Sequence, residues 1–489
     1  MKTKNISKYF LYILLAAFIL SCDDFLEVEP ELAVSDDAVY NTHQGVLNAL
    51  YGAWDRAAGP QLFAGLSVFY SDLIANSGQV RWTGTFLSYE LMESKNMNPN
   101  EGIIASTWNR TYWTIDLLNN VLANLDVVNE NARAVVEGEA RFLRGILYFE
   151  LIRHYARPYT DGNPSNNPGV PLVLTPTAGI TDADYRPRDP VASVYASILD
   201  DLQRAKSLLS DFTTAGANGG RATANTAAAF LARVHMSMEN WEAAATEANF
   251  VIDNMGGYGA LNNTPRAAFN NDTYTSEDVF MINQNATSHA GSANDGLGTF
   301  FASLEGYGRS DVHIRPEHME MFEEGDLRAQ IDTVPDALVI ADISRMYYLG
   351  IGRKPNNIMS SKWGKFDANI NVIRLAEMIL VRAEANFRKG GSPIGTDPLN
   401  DINAIRARAG VSAWDDLTLD RIWEERYREM CFEGRLLEDI RRFKKDVVIP
   451  PGYSDSGTAL PWNDPRMILP IPQREMDVNP NLVQNDAYL

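Results

Sequence analysis

Apolar residues recur every three or four positions along most of this chain, which is the spacing of one face of an α-helix. The pattern predicts helices over residues 135–155, 193–209 and 371–389, and Gly390 supplies a stop signal for the last of them. In that last segment the apolar stripe consists of Val372, Ala376, Ile379, Ala383 and Phe387. We therefore expect a mainly α-helical protein.

A pair of helices is predicted within residues 224–253, with a short turn at Glu239 and Asn240. Small residues in this segment allow two antiparallel helices to approach closely, as they do in tetratricopeptide repeats. The repeats are degenerate and are interrupted by loop-rich insertions at about 255–308 and 450–480. We expect irregular helix pairs that carry long loops, which are common sites of recognition.

Several aromatic and charged residues on the predicted helices are assigned to packing. Trp108, Tyr112 and Trp113 lie at helical spacing with the aliphatic residues that follow them, so we expect them in the core. The many charges of residues 424–442 are expected to form ion pairs along helix faces.

The start of the chain has the pattern of an export signal. Three lysines lie among its first eight residues, the uncharged run at 9–20 is too short to span a bilayer as a helix, and Cys22 follows closely. This is the lipobox arrangement of bacterial lipoproteins, in which the cysteine thiol carries a diacylglycerol. We expect residues 1–21 to be a signal peptide, Cys22 to be lipidated and residues 22–489 to form a single body.

The charge and the cysteines narrow the possible partners. The chain has 43 Lys and Arg against 63 Asp and Glu, a formal net charge of −20, which disfavours nucleic acid and anionic membrane surfaces as partners. Its two cysteines are Cys22 and Cys431, so lipidation of the first leaves the second without an intramolecular partner. We expect Cys431 to be a small buried residue.

Several blocks, in their order along the chain, resemble the SusD/RagB family of outer-membrane nutrient-binding lipoproteins. The blocks are residues 23–30 (DDFLEVEP), 141–155, 375–385, 402–410 (INAIRARAG), 425–442 and 469–475 (LPIPQRE). One departure from the family pattern is the stretch 434–439 (GRLLED), which lacks the aromatic residues usual after its glycine.

This resemblance implies a SusD-like α/α superhelix of degenerate tetratricopeptide-type helix pairs with minor β-structure. It also implies a non-enzymatic protein, lipid-anchored to the outer membrane and facing the cell exterior. Such a protein captures a nutrient, most often an oligosaccharide or polysaccharide, and delivers it to a SusC-like TonB-dependent transporter. The alternatives are a peptide-binding member of the same family and an exported glycoside hydrolase.

Sugar binding without catalysis uses exposed flat aromatic rings together with amide, carboxylate or arginine groups. The first candidate set lies in the polar loop 76–84 and consists of Trp82, Arg81, Gln79 and Asn76. The second set lies in the glycine-rich insertion and consists of Tyr307, Phe301 and Arg309. The alternative for Trp82 is that it packs its loop onto the body.

The sequence contains no recognisable pairing of a nucleophile with a base, no metal-ligand motif and no phosphate loop. His313 and His318 are five residues apart and separated by Pro316, so they do not share one helix face as a metal-binding pair would. We expect a satisfied surface or loop pair, no cofactor and no catalytic metal. Acidic loop residues leave structural calcium open.

Overall fold

The computed structural model describes residues 39–179, 181–333 and 339–489. The predicted signal peptide and Cys22 lie outside these residues. The described helices are α1 His43–Ala57, α2 Leu66–Ile74, α3 Leu87–Glu93, α4 Gly102–Ala123, α5 Glu130–Tyr155, α6 Val191–Leu208, α7 Ala224–Ser237, α8 Trp241–Met255, α9 Leu297–Phe301, α10 Pro316–Met319, α11 Leu375–Lys389, α12 Pro398–Arg408, α13 Leu419–Met430, α14 Leu436–Phe443 and α15 Gln473–Val478. Among them, none is long and apolar enough to cross a membrane.

The strands of the described chain are short. They are β1 Val80–Trp82, β2 Asp278–Ile282, β3 Val312–Ile314, β4 Ile331–Asp332, β5 Tyr347–Leu349, β6 Ile358–Ser360, β7 Ile370–Arg374, β8 Val447–Val448 and β9 Ala459–Leu460. Five of them form one sheet in the order β1-β3-β6-β5-β4, in which β4 and β5 are parallel and the other pairs antiparallel. The predicted helical fold with minor β-structure is confirmed.

Three of the helix predictions match the structure closely. The segments 135–155 and 193–209 correspond to α5 and α6, and the pair within 224–253 corresponds to α7 and α8. Helix α5 packs on α6, and α8 packs on both α7 and α11. Gly145 allows the first of these approaches, because a Cβ atom there would lie 3.1 Å from Cγ of Leu202.

The prediction of one helix over 371–389 is wrong at its start. Helix α11 begins at Leu375, and the preceding residues form β7, which pairs antiparallel with the fully buried strand β2. Ile370, Val372 and Ile373 supply the branched apolar side chains that favour a strand. Residues 370–374 form a strand because β2 is available as a buried partner. The periodicity of one segment cannot reveal such a partner.

The predicted core assignment of the α4 aromatic residues holds only in part. Trp108 is buried, as predicted, whereas Trp113 is 61% exposed. Five residues along a helix correspond to a rotation of about 500°, which places Trp113 about 140° away from Trp108 on the opposite face. The prediction for Trp113 is therefore wrong.

Several charges of α13, among them Glu425 and Glu429, lie in a buried network of ion pairs. At its centre, the guanidinium of Arg374 contacts three carboxylates at 2.7, 2.9 and 2.7 Å, those of Glu277, Glu429 and Glu433. All four side chains are at most 5% exposed. The predicted ion pairs are confirmed, and they tie the segment before β2 to β7 and α13. Cys431, directly after α13, is buried and free as predicted.

Candidate functional site

An open cleft of about 810 Å³ lies where three loop segments meet. The segments are residues 85–86 after β1, residues 291–309 and residues 351–353 after β5. The cleft has both aromatic and charged side chains, among them Thr85, Phe86, Glu305, Tyr307, Arg309 and Arg353. This size and mixture are typical of a site for a small ligand or one end of a larger one.

Hydrogen bonds in and directly beside the cleft lining fix the three segments to one another. The Thr83 N–H donates to the Asp311 carbonyl oxygen at 2.7 Å, and Nζ of Lys354 donates to the Thr83 carbonyl oxygen at 2.6 Å. The Ile351 N–H donates to the Ser303 carbonyl oxygen at 2.9 Å. The walls are thus held in place by the protein itself, which lowers the ordering cost of binding.

Phe86 and Arg309 form the aromatic and cationic part of the cleft. The Phe86 ring is 39% exposed, and Cζ of Arg309 lies 4.8 Å from its centroid. Nε of Arg309 is 2.8 Å from Oδ2 of the buried Asp311. Burial raises the pKa of the Asp311 carboxyl, and the positive charges of Arg309 and Lys354 act against that rise. The guanidinium is therefore held at the ring by a buried carboxylate.

Tyr307 is half-buried and lies in the lining of the cleft. Its hydroxyl donates to the Gly291 carbonyl oxygen at 3.1 Å, and its ring meets the ring of Phe366 edge-on with centroids 6.1 Å apart. A Cβ atom on Gly298 would lie 2.3 Å from this hydroxyl oxygen, so the close fit depends on glycine. Tyr307 and Arg309 thus lie together in the cleft, and their predicted ligand role stays a prediction.

The exposed ring expected at Trp82 is not found, and this expectation is corrected. Trp82 is 3% exposed and packs among Phe69, Tyr89 and Phe300, at centroid distances of 5.9, 4.6 and 5.6 Å. The alternation of β1 turns its ring inward, where it removes a large apolar surface from water. Its indole N–H donates to the Phe86 carbonyl oxygen at 3.2 Å, so Trp82 supports the cleft from beneath.

The other residues of the 76–84 loop do not line this cleft in the described structure. Asn76 is buried, and its Nδ2 donates to Oε1 of Glu93 at 2.8 Å. Cζ of Arg81 lies 4.4 Å from the ring centroid of Tyr453 in the 450–480 insertion. Oε1 of Gln79 accepts a hydrogen bond from within its own loop. These contacts are those of a loop tied to its surroundings.

Phe301 also belongs to the core. It is 1% exposed, and its ring lies 6.0 Å from that of Phe69 and 5.8 Å from that of Phe432. The expectation that it offers a surface to a ligand is corrected, because α9 directs this side chain into the protein. The cleft is lined by the adjoining turn and by Thr299 of this helix, not by Phe301.

Sequence reasoning missed Phe86 and Arg353. Phe86 follows the polar loop by two residues, and the apolar residue Leu87 after it suggests packing rather than exposure. Arg353 lies between Gly352 and Lys354, a glycine-containing stretch whose composition favours a loop. Neither position carries a periodic signal, so only the folded chain brings the two to one cleft.

His318, one of the two histidines that flank Pro316, has a packing role. His318 is buried, with 2.6 Å contacts from its two ring nitrogens to the hydroxyls of Tyr427 and Tyr347, and burial lowers the pKa of His318 to about 3. The expectation of a satisfied surface or loop pair is therefore wrong for His318 in its exposure, although both ring nitrogens have hydrogen-bond partners. In the part of the chain that the structure describes, no cluster of three or more His, Cys, Asp or Glu side chains could hold a metal ion.

Two family models match this chain. One, described as the SusD family, matches residues 343–488, and one described as starch-binding and associating with the outer membrane matches residues 24–236. The two matches do not overlap and together cover both the N-terminal helices and the C-terminal network.

Individual relatives agree with these matches. SusD-like protein P25 from Formosa agariphila is 25% identical over 100% of this chain and 99% of its own. The starch-binding protein SusD from Bacteroides thetaiotaomicron is 34% identical, over 39% of this chain and 40% of its own. A crystal structure of a SusD superfamily protein from Bacteroides thetaiotaomicron superposes with a TM-score of 0.76 at 24% identity, covering 91% of this chain and 99% of that one.

Proposed function

Because the chain belongs to the SusD/RagB family, we propose that it binds a glycan in the cleft of Phe86, Tyr307 and Arg309 and delivers it to a SusC-like TonB-dependent transporter. The observation that carries the proposal is the cleft itself. It combines an exposed aromatic ring with fixed hydrogen-bond donors in about 810 Å³. Sugars present apolar ring faces and hydroxyl groups, which these two kinds of side chain complement.

The comparisons support a glycan as the ligand. One of the matching family models is described as starch-binding and associating with the outer membrane, and one relative is named as a starch-binding protein. We propose the same class of ligand for this chain and a position on the outer membrane, facing the exterior. Lipidation of Cys22 would anchor it there.

We propose binding rather than hydrolysis. Glycoside hydrolases generally use a pair of carboxyl groups that flank the scissile bond. Among the residues that line the described cleft, Glu305 is the one carboxylate. Asp311 lies behind the lining and is paired with Arg309, so it is not free to act on a ligand.

Affinity electrophoresis of the full-length chain, purified in detergent, tests the binding proposal against a panel of neutral and acidic polysaccharides. We expect at least one polymer to slow migration without being degraded. Phe86→Ala should weaken that interaction about tenfold or more, as removal of a central aromatic anchor does. Trp113→Ala is the matched control, because it removes an exposed aromatic ring on α4.

Two results would overturn this proposal. The first is that no polysaccharide slows migration, while an unlabelled peptide mixture displaces a labelled peptide bound to the chain. The peptide-binding alternative would then replace glycan binding. If Phe86→Ala bound like wild type, the ligand would lie elsewhere. The delivery step is tested by co-purification from the native outer membrane, where recovery without a SusC-like barrel would contradict it.

A further inference from the structure

The charge of the cleft differs from that of the protein as a whole. The chain carries a formal net charge of −20, yet the charged residues that line the cleft are Glu305, Arg309 and Arg353. Directly behind them, Nζ of Lys354 lies 3.7 Å from Oδ1 of Asp311. In so acidic a protein, a local excess of cations suggests that the ligand of the cleft carries negative charge.

Three cations surround the one buried carboxylate of this region. Arg309 is bonded to Asp311 at 2.8 Å, Lys354 is the second neighbour, and the charge of Arg353 also lowers the pKa of this carboxyl. Asp311 can balance one of these three charges. Two of these cations, Arg309 and Arg353, face the cleft, because both lie in its lining, with Arg309 held at Phe86.

Arg353 is the cation with unused binding capacity. Its side chain is exposed, and within the described residues it forms no ion pair and no hydrogen bond. Glu305 is the other unpaired charge of the lining, and it lies more than 4.0 Å from either arginine, since no ion pair joins them. A guanidinium presents forked N–H donors that match the paired oxygens of a carboxylate or a sulfate ester.

We propose that the cleft selects an anionic glycan: a sugar ring lies against Phe86, and Arg353, with Arg309, binds a carboxylate or sulfate ester on that ring or the next one. This inference rests on the proposed function, since it names the class of glycan that the same cleft takes. Carboxylate and sulfate share the chemistry that a guanidinium recognises, and the source of the charge is left to the experiment.

The test uses pairs of polymers that differ only in charge, with the full-length chain in detergent. Polygalacturonate and alginate are compared with their carboxyl-reduced forms, and carrageenan and dextran sulfate with their unsulfated forms. We expect one charged polymer to bind about tenfold or more tightly than its neutral partner, and binding to weaken as salt screens the attraction. Which pair shows the preference identifies carboxylate or sulfate as the recognised group.

Arg353→Gln should reduce binding of the preferred charged polymer about tenfold and reduce binding of its neutral partner far less. Arg353→Lys should restore part of the loss, because it returns the charge without the fork. Arg474→Gln, at an exposed arginine of α15 that does not line the cleft, is the matched control and should bind like wild type.

The outcomes separate the two proposals. If neutral polymers bound as well as charged ones and Arg353→Gln had no effect, glycan binding would stand and the inference about charge would be wrong. If no polymer of either kind bound, the proposed function would fall, and this inference with it. If the charge preference survived in both Arg353→Gln and Arg309→Gln, the cations of this cleft would not be its source, and the inference would be overturned.

Discussion

The indole N–H of Trp82 donates a hydrogen bond to the carbonyl oxygen of Phe86 at 3.2 Å, so a buried ring holds an exposed one in position. Trp82 packs on Tyr89 and Phe300 in the core, whereas Phe86 is 39% exposed at the cleft. This bond and the short turn between the two residues connect core and cleft, together with the edge-on contact of the Phe86 ring with the buried Tyr89, whose centroids lie 6.2 Å apart. Substitutions at Trp82 should therefore change the affinity for the ligand, although Trp82 itself does not contact it.

Trp82→Phe tests this support. The substitution keeps an aromatic ring in the core but removes the N–H donor, so Phe86 loses one restraint on its position. We expect glycan affinity to fall several-fold and the free energy of unfolding to fall by about 1–2 kcal/mol, from the lost volume and hydrogen bond. Calorimetric titration and urea unfolding of the full-length chain measure the two effects.

Trp108→Phe is the control, because Trp108 is equally buried but lies in α4. It should lower stability by a similar amount and leave affinity as in wild type. Equal affinity of Trp82→Phe and wild type would contradict the supporting role. Trp82→Ala should cost about 3–5 kcal/mol of stability, the usual range for a large core ring.

Gly84 is the second point at which the turn depends on Trp82. A Cβ atom on Gly84 would lie 2.2 Å from Cζ2 of the Trp82 ring and 2.8 Å from Cγ of Asp311. Gly84→Ala must therefore displace the indole or the turn, and we expect a loss of about 1–3 kcal/mol in unfolding free energy together with weaker binding. Thermal unfolding and affinity electrophoresis give the two readouts.

Gly52 in α1 provides a matched control, since no heavy atom lies within 4 Å of the Cβ that an alanine would add. Gly52→Ala should raise stability by about 0.5–1 kcal/mol, because alanine loses less backbone entropy in a helix. If Gly84→Ala were as stable as Gly52→Ala and bound the glycan as well, the turn would accommodate the added methyl group without strain, and this prediction would be wrong.

The scaffold was more accessible from the sequence than the site. Helix α5 and the pair α7 and α8 depend on local apolar periodicity, which one segment displays by itself. Strand β7 depends on a partner almost 100 residues away, so its sequence alone favoured extension of α11. The same reasoning explains Trp82: its polar loop suggests exposure, but the β1 alternation and the distant Phe300 bury it.

The cleft residues were predicted in part because two of them are close in sequence. Tyr307 and Arg309 share one turn, and the glycine-rich composition around them indicates a loop. Phe86 and Arg353 join them through long-range pairing, such as that of Thr83 with Asp311 and Lys354 and that of Ile351 with Ser303. Such long-range pairing leaves no pattern in a single sequence.

The buried network around Arg374 should dominate the stability of the C-terminal half. Arg374→Met leaves the carboxylates of Glu277, Glu429 and Glu433 with one cation fewer in a site closed to water. We expect a loss of about 3–5 kcal/mol, the range for breaking a buried pair by removing one partner. Urea unfolding of the two proteins at pH 7 measures it.

The loss in unfolding free energy caused by Arg374→Met should depend on pH if it comes from the missing charge, and not if it comes from missing packing contacts. We call this loss the deficit. Burial acts to raise the pKa of Glu429, but its arginine neighbours outweigh it and hold that pKa well below the ordinary value. Without Arg374 the carboxyl takes up a proton more readily, so the deficit should shrink as the pH is lowered from about 7 to 5. A deficit independent of pH would contradict this explanation.

Arg421→Met is the control, because Arg421 forms a surface pair with Asp416. It should change the free energy of unfolding by less than about 0.5 kcal/mol.

Asp72 in α2 gives a pH effect of opposite sign. It is buried, its Oδ2 accepts a hydrogen bond from the Gly434 N–H at 3.2 Å, and its Oδ1 has no hydrogen-bond partner among the described residues. Burial raises the pKa of Asp72 from 3.8 to about 7, although the Gly434 hydrogen bond and the charges of Arg435 and Lys362 lower it; Glu438 adds a smaller rise.

A raised carboxyl pKa stabilises the folded state below the unfolded pKa, and this contribution is lost as the pH rises through about 7. Asp72→Asn keeps an acceptor for the Gly434 N–H and cannot ionise, so it avoids that loss. Relative to wild type, the variant should gain about 1 kcal/mol or more between pH 5 and pH 8, since each unit of pKa shift corresponds to about 1.4 kcal/mol. Asp211→Asn, at an exposed position, should give a pH profile parallel to wild type. Parallel profiles for Asp72→Asn and wild type would show that Asp72 is already ionised at pH 5, against the assignment made from its burial.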